Sequence, residues 1–127
     1  MSDKPAPQAI RDIAPALADY TDKALFGDMW KRPGLSPRGP SLITVANLIA
    51  LYRTNELPFH LKRALDNGVT RDEIAEVITH LAFYAGWPTA STAVNIAQGV
   101  FKDSFCWVGS SGSSLQGARL RRLSSEL

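Results

Sequence analysis

The stretch from Thr70 to Pro88 is compatible with a helix and with little else. Thr70 can cap its N-terminus, and Glu73, three residues on, completes a capping box. Asp72 and Glu73 suit the positive end of the helix dipole. Ile74, Val77, Ile78, Leu81 and Ala82 then recur at helical period along one apolar face. Gly86 supplies a stop, and Pro88 stands at a first helical position of the next segment. A one-sided helix needs other helices or a sheet to cover it, so the neighbouring segments decide the fold.

Those neighbours are helical as well. Residues 1–8 are polar, carry Pro5 and Pro7, and read as a loose arm. Ile10, Ile13, Ala14, Leu17 and Tyr20 form a helical stripe, and Pro15 means either a kink or a start near Ala14. Leu25, Phe26, Met29 and Trp30 make an apolar cluster that reads as a cap over the core, ahead of the breaker-rich segment 32–40. Ser36 followed by Pro37 is a helix start by composition. The run Leu42–Tyr52 is apolar nearly all round, which predicts either the centre of a bundle or a subunit interface. Arg53 follows where a cation suits the helix C-terminus.

Glu56 to Asn67 is a further helix, with Leu57, Leu61, Ala64 and Leu65 as its stripe, His60 at the edge, and Asn67-Gly68 as its stop. From Pro88 to about Lys102 a last helix is rich in small residues, which permits close helix–helix approach. No segment of residues 9–102 alternates at strand period. The expected fold is all-α, with an arm and helix over 1–24 and a helical domain over 25–103. Residues 104–127 are expected to form a Ser/Gly-rich tail, non-native or disordered, in which we place no function.

Composition mainly excludes. A net charge of +2 gives no reason to expect nucleic acid or an anionic membrane as a partner. The single Cys106 excludes an internal disulfide and a CxxC redox pair, and with two histidines it argues against a structural zinc site. No apolar run approaches the ~20 residues that span a bilayer, and the first residues lack a signal-peptide core, so a cytoplasmic location is expected. The chemical lead is local. Glu73, Glu76 and His80 lie together beside the apolar face of the 70–85 helix, with Glu76 and His80 one turn apart. A carboxylate and an imidazole there form either a candidate acid/base pair or a solvated helix pair worth a few tenths of a kcal/mol.

In order along the chain, Leu35-Ser-Pro-Arg38, Leu42-Ile-Thr-Val-Ala46, Glu56-Leu-Pro-Phe-His60, Ala64–Thr70 and Glu73–Pro88 make a linked set. This set resembles the carboxymuconolactone decarboxylase family over roughly residues 25–102. The resemblance implies an alkylhydroperoxidase D-like helical bundle of about five to six helices, assembled into a homo-oligomer, a trimer or a hexamer. The peroxidase branch of that superfamily carries a CxxC pair, whose positions fall here near Pro88 and Ser91, and a later histidine, whose position falls on Asn95. Without thiolates, peroxide reduction is not expected.

The decarboxylase-type branch is implied instead, with no cofactor, no metal and a small lactone carboxylate as substrate. Its named reaction removes CO₂ from 4-carboxymuconolactone to leave β-ketoadipate enol-lactone, a step of aromatic-compound catabolism. That reaction asks for donors to hold anions and stabilise an enolate, for a general acid and for a site poor in water. The corresponding assignment is His80 as acid and Glu76 as the group that orients it. His60, Arg53 or Arg38 would hold the substrate's carboxylates, with Tyr84 and Trp87 as walls. The competing expectations are a non-catalytic or small-ligand-binding oligomeric bundle subunit of the same fold, and a different lactone or dicarboxylate reaction at the same site.

Overall fold

Six α-helices account for most of the computed structural model, which describes residues 6–109 and side chains as far as Asp103. They are α1 (Gln8–Ile13), α2 (Pro15–Tyr20), α3 (Arg38–Ala50), α4 (Leu57–Asp66), α5 (Arg71–Ala85) and α6 (Trp87–Gly109). A π-helical turn, Thr21–Leu25, and a 3₁₀ turn, Met29–Lys31, join α2 to the segment before α3. The described residues contain no strand, so the architecture is all-α as expected. No helix among them is long and apolar enough to cross a membrane.

Pro15 breaks the first stripe outright. It occupies the first position of α2, where its missing N–H removes no helix bond, and α1 ends at Ile13. The arm before α1 is better held than its composition suggests: Ala6 is buried and its N–H donates to Asp22 Oδ1 at 3.0 Å. Arg11 pairs with the other carboxylate oxygen of Asp22 at 2.8 Å. Residues 1–5 and 110–127 lie outside the described part, and with them nearly all of the expected tail. Helix α6 itself runs on to Gly109, beyond the end expected near Lys102.

The start of α3 also differs from expectation. Pro37 is already helical in its dihedrals and stands at the cap position, so the Ser36 side chain caps nothing. Both ends of the α3–α4 hairpin finish in the same way. At the end of α3, Arg53 N–H reaches Leu48 O at 2.8 Å and Tyr52 N–H reaches Ile49 O at 3.0 Å. At the end of α4, Val69 N–H reaches Ala64 O at 2.9 Å and Gly68 N–H reaches Leu65 O at 3.1 Å. Each is a Schellman closure, which requires a left-handed residue after the helix. Gly68 adopts it at φ 92° and Tyr52 at φ 59°.

The core gathers one stripe from each of the last four helices: Val45 and Ile49, Leu57 and Leu61, Ile74 and Ile78, then Ala93 and Ala97. Full burial of each Leu or Ile contributes about 1.5–3 kcal/mol. The small residues of α6 let it lie close against α5, as their spacing predicts. One hydroxyl is buried with them: Ser41 Oγ accepts from Asn67 Nδ2 at 2.9 Å, which ties the start of α3 to the end of α4. Helix α3 is not enclosed within the protomer. Ile43 is 60% exposed and Leu51 is exposed as well, so the centre-of-bundle expectation fails for this helix.

Candidate functional site

Helices α3 and α5 lie side by side and run in the same direction, and the seam between them carries the candidate groups. At the N-terminal ends, Arg38 Nη1 donates to Glu73 Oε1 at 2.8 Å, Arg38 Nη2 donates to Glu73 Oε2, and Arg38 also donates to Gly68 O at 3.0 Å. Glu73 meanwhile completes its capping box. It accepts from Thr70 N–H at 3.2 Å, and its own N–H donates to Thr70 Oγ1 at 3.1 Å. The Arg38 guanidinium and the Thr70 N–H hold the Glu73 carboxyl down at about 2.

Further along the seam lies a depression of about 490 Å³. Leu42, Ile43 and Ala46 line it from α3, and Glu76, Val77, His80 and Leu81 line it from α5. The wall is therefore apolar, with a carboxylate and an imidazole on one rim. Glu76 and His80 are exposed in the protomer and make no hydrogen bond with each other. His80 is instead stacked on Tyr84, ring centroids 4.9 Å apart. Spacing alone brought these three residues together, because i and i+4 positions share a face of α5.

The remaining expected site residues lie elsewhere. Trp87, at the start of α6, packs edge-on against Phe83 at 5.3 Å rather than against His80. Arg53 follows the Schellman closure of α3, exposed and not part of the depression. Arg38 is committed to Glu73 and to the Gly68 carbonyl. His60 belongs to a separate cluster, stacked on Trp30 at 6.2 Å and edge-on to Phe59 at 5.0 Å. Burial and the nearby Arg63 cation push the His60 imidazole below its ordinary value.

That second cluster was not legible in the sequence. The Arg63 guanidinium lies 4.5 Å from the Phe26 ring centroid and 4.6 Å from that of Trp30, and it fastens the apolar 25–30 segment onto α4. The contact spans more than 30 residues of chain, so no local pattern announces it. A larger depression, about 590 Å³, lies between α5 and α6, where Ile74, Ile78, Ala97 and Phe101 are joined by Arg71 and Lys102. Among the described residues that line it there is neither a carboxylate nor a histidine. The candidate site is therefore chosen by its chemistry, at Glu76 and His80, and not by cavity size.

Comparison with known proteins bears on the family. A family model described as the carboxymuconolactone decarboxylase family matches residues 15–99, which include α3, α4, α5 and the first half of α6. The chain is 40% identical over 94 residues to a 4-carboxymuconolactone decarboxylase of Acinetobacter baylyi, covering 74% of this chain and 70% of the relative. It is 37% identical over 78 residues to a nitrosuccinic acid decarboxylase of Metarhizium robertsii, covering 61% of this chain and 54% of that protein. It is also 28% identical over 98 residues to an uncharacterised 15.0 kDa protein of Paracoccus denitrificans, covering 76% and 73%.

Proposed function

Because the chain belongs to the carboxymuconolactone decarboxylase family, we propose that it is a cofactor-free carboxy-lyase acting on a small lactone carboxylate of the 4-carboxymuconolactone type. The observation that carries this reading is the Glu76–His80 pair on the rim of an apolar depression. In the proposed step the bond to the departing carboxylate breaks and its electron pair moves through the ring double bond onto the lactone carbonyl oxygen. Carbon dioxide leaves, and the extended enolate takes a proton at carbon from the His80 imidazolium. Solvent then returns a proton to the imidazole, so the cycle consumes one proton for each CO₂ released.

Each part of the depression has a task in this scheme. The Leu42, Ile43 and Ala46 wall leaves the departing carboxylate poorly hydrated, which favours its loss as neutral CO₂. Histidine suits proton return near neutral pH. Tyr84 holds one face of the His80 ring, and Glu76 is placed to orient it once substrate or a partner subunit displaces water. Nitrosuccinic acid fits the same logic. It bears two carboxyl groups, and loss of the one beside the nitro group leaves a carbanion spread onto oxygen. A dicarboxylate whose carbanion is delocalised is thus the substrate class we infer.

We also propose a homo-oligomer, a trimer or a hexamer. Phe83, Tyr84 and Trp87 are large, mostly exposed and adjacent at the α5–α6 turn, and an apolar patch of this kind marks an association surface. Because Tyr84 stacks on His80, the covering subunit would also shield the acid from water.

The test is CO₂ release from 4-carboxymuconolactone by the purified protein beside His80→Gln and Glu76→Gln. We expect turnover in the parent, a loss of about 10²–10⁴-fold in His80→Gln, and a smaller loss in Glu76→Gln. Unchanged turnover in His80→Gln would remove the acid role. A folded parent without turnover would remove the named reaction and leave the binding-protein reading.

A further inference from the structure

A cation is suited to hold the carboxylate that stays when a dicarboxylate is decarboxylated, and the cations expected for that task are otherwise engaged or do not line the depression. Arg38 is paired with Glu73, His60 is stacked beneath Trp30, and Arg53 does not line the depression. A different arginine stands next to it. Between the 25–35 segment and α3 lies an apolar hollow of about 460 Å³, which Arg32 lines together with Met29, Trp30, Leu35, Ile43 and Thr44. Ile43 lines this hollow and the His80 depression alike, so the two meet across one side chain.

Helical geometry sets their spacing. Pro40, Ile43 and Thr44 face the hollow, while Leu42, Ile43 and Ala46 face the depression. At about 100° per residue these are neighbouring faces of α3, and on a helix about 10–12 Å across their centres lie on the order of 10 Å apart. A small dicarboxylate can bridge that distance with the long arm of an arginine. Arg32 is exposed, and its side chain has no carboxylate or hydrogen-bond partner among the described residues, unlike those of Arg11, Arg38 and Arg71. An exposed arginine at the edge of an apolar hollow, without a counter-ion of its own, is suited to take one from a ligand.

We propose that Arg32 binds the retained carboxylate of the substrate across Ile43 while the reacting end lies at His80, an assignment that rests on the decarboxylase reading above. It is a binding role, not an acid/base one, and its loss therefore falls chiefly on KM. With 4-carboxymuconolactone as substrate, Arg32→Gln should raise KM about tenfold or more, and Arg32→Lys should recover part of that loss by keeping the charge without the fork. His80→Gln should act on kcat instead. An Arg32→Gln enzyme with the parent's KM would overturn the proposal and leave the decarboxylase reading standing.

A second measurement separates the two ideas. Homocitric acid lactone is the saturated relative of 4-carboxymuconolactone, with both carboxylates and no conjugated double bond to accept the electron pair. Its binding, measured by calorimetry, does not depend on turnover. If the parent binds it and Arg32→Gln binds it about tenfold more weakly or worse, Arg32 is the anion site whatever reaction the protein performs. If both bind it equally, or the parent does not bind it at all, the proposal fails. The Arg32 side chain makes no hydrogen bond or ion pair within the described protein, so Arg32→Gln should leave the helical signal and melting temperature unchanged, which the same samples can check.

Discussion

Glu73 and His60 show how the surroundings of a single side chain set its dependence on pH. The Arg38 guanidinium and the Thr70 N–H favour the Glu73 anion and hold its carboxyl at about 2 in the folded chain. In the unfolded chain the same group titrates in the ordinary glutamate range, about 4.3. As pH falls, the unfolded chain therefore takes up the proton first. Stability from this group is present above that range and is lost as pH falls from about 5 toward about 2. Urea midpoints measured across this window should fall for the parent and fall less for Glu73→Gln. His60 has the same sign at higher pH: its folded value is lowered by burial, so its contribution to stability is lost as pH falls through the ordinary imidazole range.

At the scale of elements, helix ends are where the sequence was most readable. The capping box of α5 and the Asn67-Gly68 stop of α4 are local chemistry, and both stand where the residues predict them. Gly68 offers a clean test. Its φ is 92° and a Cβ added there would meet no neighbour, so Gly68→Ala carries a conformational cost and no clash. A loss of about 1–2 kcal/mol in urea unfolding is expected. The start of α3 was misread because Ser36 looks like a cap, while the fixed φ of Pro37 already suits the helix. The Arg63 clasp on Phe26 and Trp30 and the Arg38–Glu73 pair join residues more than 30 positions apart, and no period or motif encodes such a meeting. The placement of Glu76 beside His80 was readable because the two lie one helix turn apart. The hollow at Arg32 was not, because it forms only when an irregular segment lies against α3.

For the whole molecule, the unanswered surface of α3 and of the α5–α6 turn matters most. The apolar run 42–52 predicted a helix covered on all sides, and the protomer covers only the side that carries Ser41, Val45 and Ile49. With Ile43, Phe83, Tyr84 and Trp87 still facing outward, the interface half of that expectation is the one the protomer leaves open. Phe83 is 76% exposed, so Phe83→Glu removes little from the protomer's own packing. Light scattering should show a higher-order species for the parent and a lower mass for Phe83→Glu, with helicity kept. An unchanged mass would remove this patch from the interface.

One carboxylate, on Glu73, closes the first turn of α5 and also fastens the beginning of α3 beside it. Thr70, Glu73 and Arg38 are thus a single device distributed over two helices. Loss of the Glu73 carboxylate leaves Arg38 only its bond to the Gly68 carbonyl and leaves the Thr70 N–H without its acceptor, so a second change at Arg38 then costs less than it would alone. Across descendants of this chain, substitutions at the three positions should consequently travel as a block: epistasis written into one side chain, with the alignment of two helices as the trait inherited.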